Sequence, residues 1–209
     1  MLNSISKTSL ILTAFAIVTT GLVTLTHILT KDQIAIEREN ATLKSINQIL
    51  PKALYDNDIT KDCLNLLDQN QKPIRLFRAR LNGQPSAIVV ESIAPDGYNG
   101  RIDLLAAIDT EGKILGVRTV AHNETPGLGD KIEIKRSSWI THFSGLSLTQ
   151  DNQKNWAVRK DGGTFDQFTG ATITPRAVVK SIKNTLAWQQ SQTELFSAEN
   201  QCGELNESN

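Results

Sequence analysis

The chain has 209 residues, 39% hydrophobic and 21% charged, which is room for one membrane helix and one globular domain. Lys+Arg and Asp+Glu each number 22, so the formal net charge is zero, and no basic excess exists to neutralise a nucleic-acid backbone. Cys63 and Cys202 lie far apart with no CxxC spacing, which excludes the paired-ligand pattern of zinc sites and iron–sulfur clusters; no metal site is expected.

Leu10 to Leu29 is a twenty-residue run without a charge. At ~1.5 Å rise per residue it matches the ~30 Å hydrocarbon core of a bilayer. Five threonines lower its hydropathy, but their hydroxyls can bond back to the helix. No A-x-A-like site follows, so the reading is a retained anchor over residues 9–30, in contact with membrane lipid, rather than a cleaved signal peptide. Lys7 precedes the run and Lys31 and Arg38 follow it, so basic residues do not orient it.

From Gln33 to Leu50, the positions Ile36, Leu43, Ile46, Ile49 and Leu50 recur at helical spacing until Pro51. A polar stretch around Asp56 to Asp62 follows. Strands are expected at Ile74–Leu81, Ser86–Ile93, Ile102–Ile108 and Ile114–Ala121. The turns between them are Asn82-Gly83, Pro95-Asp96-Gly97 and Thr110 to Lys113. Such short connections imply an antiparallel sheet. Ser137 or Ser138 starts a short helix through Trp139, Ile140 and Phe143, and Asn155 to Val158 reads as a fifth strand. Thr174 is expected to cap a final helix with Pro175 in its first turn and Val178, Val179, Ile182 and Leu186 as its buried stripe. The tail 191–209 reads as polar and loose apart from Cys202, and the fold class is α+β.

Two segments carry chemistry. Asp166 to Pro175 holds Thr169-Gly170-Ala171-Thr172, small residues that admit a ligand close to the backbone just before a helix start. A helix start has free N–H groups and partial positive charge, which suit a phosphate. Taken alone, such a stretch is an ordinary cap. The second segment is His122 to Lys131, where Pro126, Gly127 and Gly129 make a rigid turn with exposed amides. Taken alone, that is a surface loop. GxGxxG, GxxxxGK[ST] and G-x-S-x-G are all absent, so no Rossmann, P-loop or serine-hydrolase chemistry, and no catalytic residue, is assigned.

Together, Asp166-x-x-Thr169-Gly170-Ala171-Thr172 and Glu124-Thr125-Pro126-Gly127-Leu128-Gly129 resemble the FMN-binding domain family of ion-translocating electron-transport complexes. The likeness is closer to the G subunit of the Rnf (Rsx) complex, and extends from the anchor to near the C-terminus. The C subunit of the sodium-translocating NADH:quinone reductase is similar at a greater distance and is the alternative role. A membrane-tethered binding or sensory module without a redox cofactor is the rival from another class.

The resemblance implies covalent FMN on Thr172 through a phosphoester, installed by a flavin transferase from FAD. It implies an electron-carrying subunit, not an enzyme on its own, whose partners are the other membrane subunits of the complex. It places residues 1–8 in the cytoplasm and residues 31–190 in the periplasm, with the helix in the inner membrane. Thr169, Gly170, Ala171 and Thr174 would shape the phosphate seat. Glu124, Thr125, Gly127 and Leu128 would lie against the flavin or its ribityl chain, with Leu128 covering a ring face. Lys131 is either a phosphate partner or a solvated side chain. Asp166 would be read by the transferase. Tyr98-Asn99-Gly100 is either a cofactor contact or a plain turn, and Trp139 and Trp156 are read as core. On the outer face a Cys63–Cys202 disulfide is allowed, the alternative being two unrelated thiols.

Overall fold

Local sequence signals account for most of the elements in the computed structural model, which describes residues 2–68, 71–192 and 194–202. The chain divides into two units, residues 1–42 and 43–209. Helix α1, Leu2–Ile49, provides the first unit and enters the second with its last turns. Within it Ser6–Lys31 is long and apolar enough to cross a membrane. The hydroxyls of Thr19, Thr26 and Thr30 donate to the carbonyls of Phe15, Leu22 and Thr26 at 2.8–2.9 Å, so these polar groups are satisfied inside the helix.

In the second unit five strands form one antiparallel sheet in chain order: β1 Cys63–Leu67, β2 Pro73–Leu81, β3 Gln84–Gly97, β4 Gly100–Asp109 and β5 Ile114–Ala121. Asn82 (φ 52°) and Gly83 (φ 76°) both take positive φ, the two-residue turn whose twist matches a hairpin. Four strands lie where the patterning puts them, but β3 runs on through Pro95-Asp96-Gly97 and turns only at Tyr98-Asn99. A register shift between Ala94 and Gly97 lets Pro95 sit in the strand without donating to the ladder. Strand β1 was not expected, and Asn155–Val158 is no strand: Gln153–Asn155 is a 3-10 helix, and Val158 makes only an isolated bridge to Phe165.

The sheet is covered on both faces. One face (Leu64, Leu76, Ile88, Val90, Leu104, Ala106, Ile108) packs on helix α2, Ile173–Gln190, and on an aromatic cluster from the loops before it. The stripe Val178, Val179, Ile182 and Leu186 is at most 1% exposed, as expected. The other face (Phe77, Ala79, Ala87, Val89, Leu105, Ala107) packs on Ile46, Ile49 and Leu50 at the end of α1. Burial on both sides explains the continuous apolar runs Ala87–Val90 and Leu104–Ile108. Ile36, the first position of the expected stripe, is exposed and lies in the first unit.

Small residues let α1 approach the sheet. A Cβ on Gly116 would lie 2.9 Å from the Ile49 Cβ and 3.0 Å from its Cα. Gly116→Val is therefore expected to destabilise the domain by about 2 kcal/mol through overpacking, seen as a lower urea midpoint with an unchanged slope. A midpoint equal to wild type would mean that α1 can back away from β5.

The tail is not loose where it is described. Leu195 is buried, and the guanidinium of Arg78, itself 3% exposed, donates to the carbonyls of Leu195 (3.3 Å) and Ala198 (2.6 Å) while pairing with Asp62. Gln201 N–H donates to the Cys63 carbonyl (2.8 Å), and Cys63 N–H to Asn200 Oδ1 (3.0 Å). The tail thus covers the outer edge of β1, an edge that would otherwise offer unpaired backbone groups. Cys63 and Cys202 are disulfide-bonded, with Cα atoms 5.1 Å apart. Residues 203–209 of the expected tail lie outside the described residues.

Candidate functional site

Three loops converge at one end of the sheet: the β3–β4 tip, the turn after β5, and the segment that leads into α2. The turn after β5 folds on the Thr125 carbonyl, which accepts from the N–H groups of Leu128 (3.1 Å), Gly129 (3.0 Å) and Asp130 (3.4 Å). Gly127 takes φ +78° inside it, a conformation that costs other residues energy. The segment before α2 closes its own turn, Ala171 N–H donating to the Phe168 carbonyl (3.0 Å) with Gly170 also at φ +78°. The two turns face each other: a Cβ built on Gly170 would sit 3.8 Å from Leu128 Cδ2.

Glu124 locks the loops together. It is 4% exposed; its Oε1 accepts from Asn99 N–H (3.0 Å) and its Oε2 from the Thr174 hydroxyl. Asn99 Nδ2 donates in turn to the Asn123 carbonyl (2.9 Å). Gly129 is needed beneath this clamp, since a Cβ there would come within 2.8 Å of Thr174 Oγ1 and 2.9 Å of Glu124 Oε2.

Thr174 is therefore not the helix cap. It lies inside α2 with its hydroxyl turned to Glu124, and Thr172 occupies the cap position. The Thr172 side chain makes no capping bond and is half-buried; its carbonyl accepts the Arg176 N–H (3.2 Å). Helix geometry leaves the N–H groups of Ile173 and Thr174 without intrahelical partners, and Pro175 has none to satisfy. The start of α2 thus presents the amide of Ile173, which is exposed, a partial positive charge and an uncommitted hydroxyl together, while Thr174 is buried behind them.

Below this seat is the aromatic cluster. Phe143 stacks on Phe165 with centroids 4.6 Å apart, and Trp139 meets Phe168 edge-on at 5.2 Å. Trp139 Nε1–H donates to the Asp166 carbonyl (2.7 Å), fixing the motif's first residue from underneath. Trp139 and Trp156 are core residues, 4% and 6% exposed. The Ser138–Phe143 3-10 helix that carries Trp139 starts at the expected serine cap, Ser137 Oγ accepting from Trp139 N–H at 3.0 Å. Asp166 itself is exposed, with its carboxylate 3.1 Å from Arg159.

Thr169, Gly170, Gly127 and Leu128 are exposed, Ala171, Thr172, Thr125 and Lys131 are half-buried, and Glu124 and Thr174 face inward. Tyr98 and Ile173 add exposed apolar surface beside them. Sequence reading missed the Glu124–Thr174 clamp and the pairing of His122 with Glu133, Nε2 to Oε1 at 2.8 Å. Both join residues that no local pattern links. Arg176 forms a two-pronged pair with Asp161 (2.6 and 2.8 Å) and holds its carboxyl below the usual carboxylate range. Among the described residues no group of His, Cys, Asp and Glu could hold a metal.

The residues fit a flavin phosphate: a free hydroxyl at a helix start, two glycine turns without side chains in the way, and an apolar lip. Residues 97–187 match the FMN-binding domain family, and residues 1–49 match the RnfG N-terminal region. An α+β FMN-binding domain behind a single N-terminal apolar helix defines a membrane-anchored flavoprotein. Over 206 residues the chain is 48% identical to the G subunit of the ion-translocating oxidoreductase complex of Vibrio parahaemolyticus, covering 97% of this chain and 98% of that one. The G subunit of Photorhabdus laumondii is 50% identical over 208 residues (98% and 99%), and that of Pseudoalteromonas atlantica 46% over 207 (97% and 96%). The chain belongs to the family of G subunits of ion-translocating oxidoreductase complexes.

Proposed function

We propose that the protein is the electron-carrying subunit of such a complex, with FMN joined to Thr172 by a phosphoester. The observation that supports this most is Thr172 itself: a half-buried hydroxyl at the start of α2, unused as a cap, beside the Gly170 and Gly127 turns. A flavin transferase would form the bond from Thr172 Oγ to the FMN phosphorus as the phosphorus–AMP bond of FAD breaks, the hydroxyl proton leaving to a base. The Ile173 amide and the positive end of α2 would stabilise the phosphate charge, with Lys131 a further positive group on the adjoining 3-10 helix. Thr169, Gly170 and Ala171 form the wall of the seat. Thr125, Gly127 and Leu128 form the opposite lip, with Leu128 against a ring face and Tyr98 near its margin. Glu124 and Thr174 act from behind by holding the lip to the helix. Asp166, exposed on the approach to the site, would be read by the transferase.

Bound FMN supplies one-electron uptake and release. The tether prevents its loss by dilution on the outer side of the membrane. We place residues 1–8 in the cytoplasm, the helix in the inner membrane, and the domain in the periplasm, where the Cys63–Cys202 bond is stable. The other membrane subunits of the complex are the partners.

Intact mass and peptide mapping of the full chain, co-expressed with a flavin transferase, test the tether. A gain of FMN less one water is expected on the peptide holding Thr172, absent in Thr172→Ala and retained in Thr169→Ala. An unmodified wild-type chain under those conditions would overturn the proposal.

A further inference from the structure

His122 stands between β5 and the Glu124–Gly129 turn with its side chain 10% exposed. Both ring nitrogens are engaged, and their roles follow from their partners. The Glu124 backbone N–H can only donate, so Nδ1, 3.0 Å away, must accept with its lone pair. The proton of the neutral ring is then on Nε2, which donates to Glu133 Oε1 at 2.8 Å. The amide that His122 holds belongs to the residue whose carboxylate clamps the β3–β4 tip to α2.

We propose that His122 is a proton-responsive positioning residue of the flavin site: the neutral Nε2–H tautomer holds the Glu124 amide and with it the turn, and the imidazolium releases it. A second proton can enter only at Nδ1. It places an N–H donor against the Glu124 N–H donor, and that bond becomes a repulsion. The bond to Glu133 survives, because Nε2 donates in both forms, so the ring stays anchored while the turn loses one of its ties. The other charged groups on the surrounding elements are Glu124, Asp130 paired with Arg136 (3.3 Å), Lys131, Lys135, and the Arg101–Asp103 pair on β4, where Asp103 lies opposite Ala121. Further along the strands are Arg118 of β5, bonded to Gln48, and Asp109 of β4, bonded to the Lys113 amide. The consequence for the flavin rests on the function proposed above; the hydrogen-bond switch does not.

Asparagine at position 122 separates the acceptor from the proton. Its side-chain oxygen can accept from the N–H two residues on, as in an Asx turn, but takes up no proton in the physiological range. The experiment follows imidazole ¹⁵N shifts and the Glu124 amide by NMR, in the full chain in detergent micelles without flavin, from about pH 8 to 5. The expected wild-type result is an unprotonated Nδ1 at high pH. The Glu124 protection factor, with the intrinsic exchange rate divided out, then falls about tenfold as the ring charges. In His122→Asn it stays flat. With flavin loaded, the FMN absorption band is expected to shift over the same window in the wild type and not in His122→Asn. A ring that titrates while Glu124 protection stays constant would overturn the proposal, as would the same fall in protection in His122→Asn. The wild-type arm needs no variant to fold, and the flavin-free arm holds or fails independently of the tether on Thr172.

Discussion

Glu124→Ala is expected to destabilise the domain by about 3 kcal/mol and to leave Thr172 without flavin when the transferase is present. Glu124 is buried, and each carboxylate oxygen has a partner: Oε1 takes the Asn99 amide and Oε2 the Thr174 hydroxyl. Hydrogen bonds to a charged group contribute about 1.5–3 kcal/mol each, and truncation strands the buried Thr174 hydroxyl without a partner while the exposed Asn99 amide turns to water. Because the two donors lie on the β3–β4 tip and on α2, losing the carboxylate loosens three loops at once. Glu124→Gln keeps an oxygen for Asn99, and the Thr174 hydroxyl can turn to accept from the new amide, so its loss should be about 1 kcal/mol. Urea unfolding and the modified fraction by intact mass check both. Adding Thr174→Val to Glu124→Ala should cost less than the sum of the single changes, since they remove the same bond. A Glu124→Ala chain within about 0.5 kcal/mol of wild type would remove the clamp from the account.

Opening the Cys63–Cys202 bond, by reductant or by Cys63→Ser, is expected to cost about 2–4 kcal/mol and to lower the melting temperature by about 10 °C. The bond closes a loop with a sequence separation of 139. On the chain-entropy account such a loop restricts the unfolded state strongly, with an upper value of about 5 kcal/mol. The tail's bonds to Arg78 and Cys63 remain in the reduced chain, so hydrogen exchange should rise first in residues 194–202 and β1. Reductant should have no further effect on Cys63→Ser. A wild-type melting curve unchanged by reductant would show that the hydrogen bonds alone hold the tail.

Features with a local cause were legible in the chain. Asn82-Gly83 made a hairpin because those two residues tolerate the positive φ that the turn demands. The stripe from Val178 to Leu186 found the core because its spacing matches one helical face. Ser137 capped its short helix because a hydroxyl beside free amides bonds to them. The two loop motifs carried the family, since turns stripped of side chains leave a recognisable composition.

What the tertiary structure alone decided depends on partners distant in sequence. Strand β1 has only five residues, and it exists because β2 lies on one side of it and the tail, more than a hundred residues later, on the other. Arg78 reads as a solvated charge in an alternating strand, yet it is buried because Asp62 and two tail carbonyls meet its guanidinium. Local rules make Thr174 the cap, yet in the fold Glu124 takes the Thr174 hydroxyl, and Thr172 occupies the cap position with its side chain unused. The sequence by itself determined the apolar N-terminal helix, the sheet's hairpins, the last helix and the composition of the two glycine turns, because each is a property of a few consecutive residues. The pairing of the cysteines, the clamp behind the site and the identity of the free hydroxyl were decided only when distant segments came within hydrogen-bonding reach.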